Sequence, residues 1–357
     1  MKVCSALVRA EAAVDGSAVV VEGRAVAAAR GSAPAAVELA VALARDAEAV
    51  DACLAGLQPG RLGGIGSAAR EHLLSGGKRV RPLLTCAVLR ACGGEPAPHL
   101  CAISAVELVH AASLLHDDII DDAPTRRGRP AAHVVMGTHA AVLAGDYLVA
   151  RAFEDLGAAG QPVLQARLAQ AVTELCEGEA LERARRFDPA ADLEHARLVN
   201  RLKTGALFGY AAEAGATLAG APPATRAAAR EYGLRLGEAF QIADDVLDFE
   251  GSPGALGKPV GQDLAQGAIT VPMALALALE PALGGAVAAC WGEGGGPDAG
   301  RLAAIAARVR GVGALAAARD LARAEARRAR AALAELPAGP WRERLSRVAD
   351  EVAERGT

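Results

Sequence analysis

Residues 107–130 read ELVHAASLLHDDIIDDAPTRRGRP, and the reading of this stretch decides the fold. An apolar run with helical spacing leads into Asp117, Asp118 and Asp121, carboxylates at i, i+1 and i+4. On a helix, i and i+4 share one face, about 6 Å apart. Charges are costly to bury unpaired, so acids on a core-like helix call for positive partners. The pattern recurs in FQIADDVLDFEG, residues 240–251, where Asp244, Asp245 and Asp248 again follow an apolar run. Mg2+ takes oxygen ligands and bridges one or two carboxylates to substrate phosphates. Two such clusters, facing each other across a cavity, would hold a diphosphate between them.

The rest of the chain fits a helical frame. Of its 357 residues 52% are hydrophobic, but only 3% are aromatic, so Ala, Leu and Val must fill the core. Ala is the best helix former and Leu ranks close behind, which predicts an all-α protein. A net charge of −4 makes no case for nucleic-acid binding. The seven Cys are scattered, with no CxxC, and reduced, buried thiols in a cytoplasmic protein are the expectation. The start, MKVCSALVRAEAAVDG, is broken by Arg9 and Glu11 and makes no convincing secretory signal. Residues 131–150 and 271–290 are the best candidates for a membrane span. The first carries His133, His139 and Asp146, and the second Glu280 and Pro281. Both therefore read as buried core helices, and no transmembrane segment is expected.

Residues 1–33 are poorly patterned and read as an N-terminal extension, with Ser17–Glu22 (SAVVVE) a candidate short strand. Helical periodicity begins near Pro34, and Gln58–Gly66 reads as a connection. Breaks at Gly93-Gly94, Gly157–Pro162, Gly220–Pro223, Gly251–Pro259 and Gly292–Gly296 are too short for interdomain linkers. Residues 34–357 are thus expected to form one helical domain. From about Asp298 to Arg355 the Arg residues alternate with acids, as on a solvated helix face.

Basic residues supply the complement to the acids. In SGGKRVRP, Gly76 and Gly77 precede Lys78, Arg79 and Arg81. Glycine lets backbone approach a ligand, and Lys and Arg bind phosphate oxygens. Arg126-Arg127-Gly128 follows the first acidic motif by one short turn, while Lys203-Thr204 and Lys258 stand near glycines further on. Each of these alone would equally suit a basic loop or a salt-bridge partner.

Taken in order, GGKRVRP, ELVHAASLLHDDIIDDAPTRRGRP, AVLAGDYL, CEGEALE, KTGALF, FQIADDVLDF and GKPVGQDL resemble the trans-isoprenyl (polyprenyl) diphosphate synthases, from about residue 60 to the C-terminus. The resemblance implies a multi-helix bundle of the isoprenoid synthase type, with a central cavity and its two DDxxD motifs on facing helices. It implies that Asp117, Asp118, Asp121, Asp244, Asp245 and Asp248 hold Mg2+ on an allylic diphosphate. Arg126, Lys203, Thr204, Gln241 and Lys258 would contact the same diphosphate, and Lys78, Arg81, His110 and Arg127 would bind isopentenyl diphosphate. The implied reaction is head-to-tail (1′-4) condensation by a cytoplasmic homodimer. The departing diphosphate would serve as base, so no nucleophile–His pair is required; His116 reads as a structural neighbour of the acids.

Two departures stand out. Ala268 in Gln266–Pro272 occupies a place where the family often has Lys, and Glu182 stands where Gln or Asp is common. Product length is expected to be read along the helix before Asp117, because one turn rises about 5.4 Å, close to one isoprene unit. Ala112 and Ser113 are small there, and Val109 is moderate. That predicts a medium- or long-chain product, of roughly six to ten units on this geometry. Geranylgeranyl diphosphate is the alternative if another helix, through Val142 and Leu143, supplies a floor. A class I terpene cyclase shares the fold but lines its cavity with aromatics and lacks the second intact motif. A non-catalytic partner subunit would tend to lose aspartates, whereas both sets are whole here.

Overall fold

The computed structural model describes residues 19–21, 24–26, 34–58, 60–250, 261–292 and 299–354. In chain order the helices are α1 (Pro34–Ala55), α2 (Gly64–Leu74), α3 (Val80–Ala91), α4 (Leu100–Ile120), α5 (Ala132–Met136), α6 (Thr138–Ala158), α7 (Pro162–Ala184) and α8 (Leu193–Asn200). A π-turn, Arg201–Gly205, leads into α9 (Ala206–Leu218) and α10 (Pro223–Glu250). The remainder are α11 (Gln262–Ala265), α12 (Val271–Leu279), α13 (Leu283–Trp291), α14 (Ala299–Gly311), α15 (Ala314–Ala332) and α16 (Pro340–Ala353). The all-α expectation holds, relieved only by short ribbons among the described residues. Strands β1 (Val19–Val21) and β2 (Arg24–Val26) pair antiparallel, so the candidate strand near the start is present over Val19–Val21. Strands β3 (Thr125–Arg126) and β4 (Arg129–Pro130) form a second ribbon.

Local chemistry explains the helix ends. Prolines open α1, α7, α10 and α16, where a missing N–H costs nothing and φ is already helical. Asp192 caps α8 by accepting from the His195 N–H at 2.9 Å.

The chain divides into two compact units. The first comprises Met1–Gln170, Tyr210–Arg230 and Leu333–Val348; the second comprises Ala171–Gly209, Glu231–Ala332 and Ala349–Thr357. In the first, α4 packs along α6 and also against α1 and α3, burying Leu83, Leu84, Ile103, Val106, Leu108, Leu115 and Leu148. In the second, Ile242, Val246 and Phe249 of α10 join Leu264, Met273, Val287, Ile305 and Leu315 in one apolar cluster. Ala-rich faces let the helices approach closely. A Cβ on Gly237 of α10 would lie 2.8 Å from the Gly205 Cα.

Two sequence expectations need correction. Residues 131–150 are not one buried helix. They break at Gly137 into α5 and α6, and Val134, Val135, Val142 and Leu143 are exposed. Residues 271–290 likewise break between α12 and α13, after Leu279, at the segment that holds Pro281. Among the described residues the helical stretch long and apolar enough to cross a membrane is instead Ala97–Ile120, and 61% of its most apolar window is buried. Its apolarity comes from its place in the core of the first unit, where α4 meets helices on several sides.

Candidate active site

In the first unit the acidic motif closes α4. The Asp121 N–H donates to the Asp117 carbonyl at 2.9 Å, ending the helix. The chain then turns through Asp122, whose φ is 48°. The following hairpin pairs Thr125 with Pro130 and Arg126 with Arg129, leaving Arg127 and Gly128 as its two-residue turn. Both have positive φ, 52° and 77°, as a type I′ hairpin turn requires; Gly128 adopts this without strain. The hairpin returns Arg126 to the aspartates. Its Nη1 donates to Asp118 Oδ1 at 2.5 Å.

Asp118 is 2% exposed. Burial raises its carboxyl above the usual range, against the pull of Arg126. Asp118 Oδ2 and Arg126 Nε are buried without hydrogen-bond partners, which is the condition expected of groups that meet a ligand. Arg127 Nη1 donates to the Gly76 carbonyl, tying the hairpin to the glycine-rich loop before α3. Lys78 on that loop and Arg81 in the first turn of α3 flank Arg79 and are half-buried.

Arg79 itself is structural. It is left-handed, with φ 49°. Its guanidinium donates to Asp51 at 2.7 Å, to Glu107 at 3.0 Å and to the Leu73 carbonyl at 3.0 Å. The Gly77 position is tight for the same reason, since a Cβ there would meet Arg79 Nη1 at 2.9 Å. Arg79 thus fixes the junction between the loop that carries Lys78 and the helix that carries Arg81. Burial pushes Arg81 down to about 10, with Glu107 opposing.

His110 lies among Arg81, Arg126 and Arg127. Burial first, then these cations, hold it well below the usual histidine value, so it is a neutral imidazole. His72 on α2 shares this environment and is lowered to about 4, again by burial and then by Arg126 and Arg127. His116 is held apart from this group. Its Nε2 lies 3.3 Å from the Val142 carbonyl and 3.6 Å from Asp146 Oδ1. The ring occupies space that a side chain at Gly145 would fill, since a Cβ there would be 2.2 Å from Nε2. Of the length-reading positions, Val109 and Ala112 are buried. Ser113 is half-buried and donates to the His110 carbonyl at 2.9 Å.

In the second unit the acids sit on α10, beside the π-turn that carries Lys203 and Thr204. Such a turn misaligns the backbone by one residue and recurs at functional sites. The Thr204 hydroxyl donates to Gln241 Oε1 at 2.8 Å, and Gln241 Nε2 donates to Asp245 Oδ1 at 2.9 Å. Asn200 Nδ2 donates to Asp245 Oδ2 at 3.2 Å. Burial raises the Asp245 carboxyl to about 7 and Asp244 pushes it the same way, although Gln241 and Asn200 oppose the shift.

The Gln262 and Asp263 N–H groups lie 3.3 and 3.4 Å from the two Asp248 oxygens. Asp263 is raised well above the usual range by burial and by Asp248, Asp245 and Glu182. Lys203 Nζ stands 2.6 Å from both Glu179 and Glu182. Burial works against this ammonium, but the two carboxylates outweigh it and hold Lys203 above the ordinary lysine value.

A buried ion network sets the register of α8 on α10. Arg197 donates to Glu238 at 2.8 Å and to Glu325 at 2.7 Å, and Arg235 donates to Glu325 at 3.1 Å. Arg197 is one turn from Asn200, and Glu238 is one turn from Gln241, so the network aligns the Asp245 contacts.

Within the first unit the structure brings Asp118, Arg81, His110, Arg126 and Arg127 together around one hairpin. In the second unit it joins Thr204 and Gln241 to Asp245, while Lys203 pairs with Glu179 and Glu182. Lys258 lies outside the described residues. Sequence reasoning missed His72, Glu107, Asn200, Glu179 and Asp263 as parts of these clusters. Asp263 had a usable signal, since it follows closely on the second motif in GQDL. A lone His or Asn had none. Among the described residues no group of three or more His, Cys, Asp or Glu side chains already converges as a metal cage.

Residues 65–293 match the family profile Polyprenyl synthetase. The octaprenyl diphosphate synthase of Escherichia coli (strain K12) is 35% identical over 281 residues, covering 78% of this chain and 86% of that protein. The crystal structure of a decaprenyl diphosphate synthase from Rhodobacter capsulatus superposes with a TM-score of 0.82 at 37% identity, covering 89% of this chain and 98% of that one. The polyprenyl synthase from Caulobacter crescentus CB15, complexed with calcium and isoprenyl diphosphate, gives 0.81 at 38% identity, covering 88% and 98%.

Proposed function

The chain belongs to the polyprenyl synthetase family, has its all-α isoprenoid synthase fold and is a medium- or long-chain polyprenyl diphosphate synthase; we propose that it joins isopentenyl diphosphate to an allylic diphosphate with Mg2+, using the two aspartate clusters and their cations. The observation that carries the metal reading is the make-up of the second cluster. Asp244, Asp245, Asp248 and Glu182 surround the buried Asp263, and Glu182 with Glu179 also holds Lys203. Hard oxygen donors of this kind fit Mg2+, which keeps waters and substrate phosphates in its shell and needs no closed protein cage. The orphaned Asp118 Oδ2 is a donor of the same kind in the first cluster.

Bound Mg2+ would supply Lewis-acid neutralisation of charge on the leaving diphosphate. The residues of this chain do the rest. Arg126 and Lys203, with Thr204, Gln241 and Lys258, hold the allylic diphosphate and stabilise the charge that grows as its C–O bond breaks. Lys78, Arg81 and Arg127 bind isopentenyl diphosphate as an anion, and His110, kept neutral, offers it a hydrogen bond. The isopentenyl double bond attacks the allylic carbon, and the departing diphosphate takes the proton released. Ala112 and Ser113 leave room for a growing tail beside α4.

Residues 34–357 act as one synthase domain, in a homodimeric, cytoplasmic protein with no membrane-spanning segment. Light scattering that finds a monomer, or recovery of the protein in washed membranes, would overturn this part. The reaction is tested by incubating the purified protein with Mg2+, isopentenyl diphosphate and allylic primers of increasing length, then sizing the products. Condensation to chains longer than geranylgeranyl is expected, with loss on chelation. No condensation with any primer sinks the catalytic reading and favours a subunit that needs a partner. Ser113→Phe is expected to shorten the product; unchanged length removes α4 as the ruler.

A further inference from the structure

We propose that Cys53 and Cys101 are an oxidisable dithiol, a modification site that closes to an intramolecular disulfide between α1 and α4. The Cys53 thiol donates to Cys101 Sγ at 3.9 Å. Both cysteines are free; Cys53 is half-buried near the end of α1, and Cys101 is exposed in the first turn of α4. Helices α1 and α4 pack against one another within the first unit. A disulfide needs its sulfurs about 2.05 Å apart. The pair must therefore close by about 1.9 Å, within reach of side-chain rotation between staggered states.

The exposed sulfur reacts first with a peroxide. The Cys101 thiolate attacks one peroxide oxygen, the O–O bond breaks, and a sulfenic acid and one water result. Cys53 then loses its proton, its sulfur attacks the Cys101 sulfur, the S–O bond breaks and a second water leaves. Two thiols give up two electrons and two protons, and hydrogen peroxide becomes two waters. Burial raises the Cys53 thiol, against a hydrogen bond with Ser104, so the exposed Cys101 is the sulfur that meets the peroxide and Cys53 is the one that resolves it.

Cys101 lies at the end of α4 opposite Asp117, so the link braces the fold rather than entering the chemistry. It closes a segment of 48 residues, and cross-links that span long segments restrict the unfolded chain most. The full-length protein is treated with hydrogen peroxide, alkylated, digested and mapped by mass spectrometry. The expected result is a Cys53–Cys101 cross-linked peptide and a melting temperature raised by about 5 °C, both reversed by dithiothreitol. Cys101→Ser, at an exposed position, should fold normally and lose the rise. Recovery of both cysteines as separate alkylated peptides overturns the proposal. So does oxidation that instead links Cys101 to Cys176 or joins two copies of the chain.

Discussion

Asp118 and Asp245 hold the same place in the two copies of one acidic pattern, and each is 2% exposed. Their surroundings differ in kind. Asp118 meets the Arg126 guanidinium, beside Arg127, Arg81 and the neutral His110. Asp245 meets two carboxamides, Gln241 and Asn200, with Asp244, Asp248 and Asp263 nearby. The first copy is matched by charge from its own unit. The second is matched by dipoles, and burial beside Asp244 keeps its proton affinity high. A motif thus fixes which groups are present, while the elements packed around it fix the charge they carry.

The largest expected effect comes from removing an aspartate from each copy. Asp117→Ala and Asp244→Ala should each lower kcat/KM by about 10³-fold, the scale of a lost electrostatic stabiliser, in labelled isopentenyl diphosphate incorporation. A loss below tenfold in either variant would show that this copy is dispensable.

The contrast in proton affinity gives the next effect. Asp245 is raised from 3.8 to about 7, so the native protein keeps a proton that the unfolded chain releases between pH 4 and 7. Without metal, stability should fall across that window and level off above it, by up to about 4 kcal/mol. Asp245→Asn should lessen this slope, leaving the part that Asp263 contributes. In denaturant titrations with a chelator present, the variant should match the parent near pH 4 and exceed it at pH 8. Equal slopes in both proteins would refute the assignment.

Arg126→Ala should destabilise by about 2 kcal/mol. It strands a buried carboxylate, although partial exposure of the arginine, 31%, softens the loss. Adding Asp118→Asn should recover much of that stability but not the allylic KM. The smallest effect is steric. Gly237→Ala should cost about 1–2 kcal/mol by overpacking against Gly205, with a rise in allylic KM as Lys203 and Thr204 shift. An unchanged KM would mean that the π-turn tolerates the displacement.

Much of this was legible along the chain. Composition and periodicity gave the all-α class and several of the helix breaks, and both acid clusters were evident because i, i+1 and i+4 acids in apolar runs are rare without cause. Arg126 and Arg127 could be picked out as cations beside the first acids, and the structure sets Arg126 on Asp118. The misread segments had a common reason. Residues 131–150 looked continuous because Gly137 interrupts them without a proline or a charge. Arg79 looked like one more basic residue of its cluster, but its guanidinium is consumed by Asp51 and Glu107.

Sequence alone determined the residue chemistry: Ala- and Leu-rich periodicity requires helices, and two sets of closely spaced carboxylates require counter-charge. Tertiary structure decided how that charge is met. Only packing brings Asn200 to Asp245, Asp263 to Asp248, and Glu179 and Glu182 to Lys203. Electrostatic energy depends on distance and burial in three dimensions, which spacing along the chain does not encode for residues on different elements. The second DDxxD copy therefore sits among carboxylates and carboxamides by virtue of its neighbours, and the first beside guanidinium groups by virtue of its hairpin.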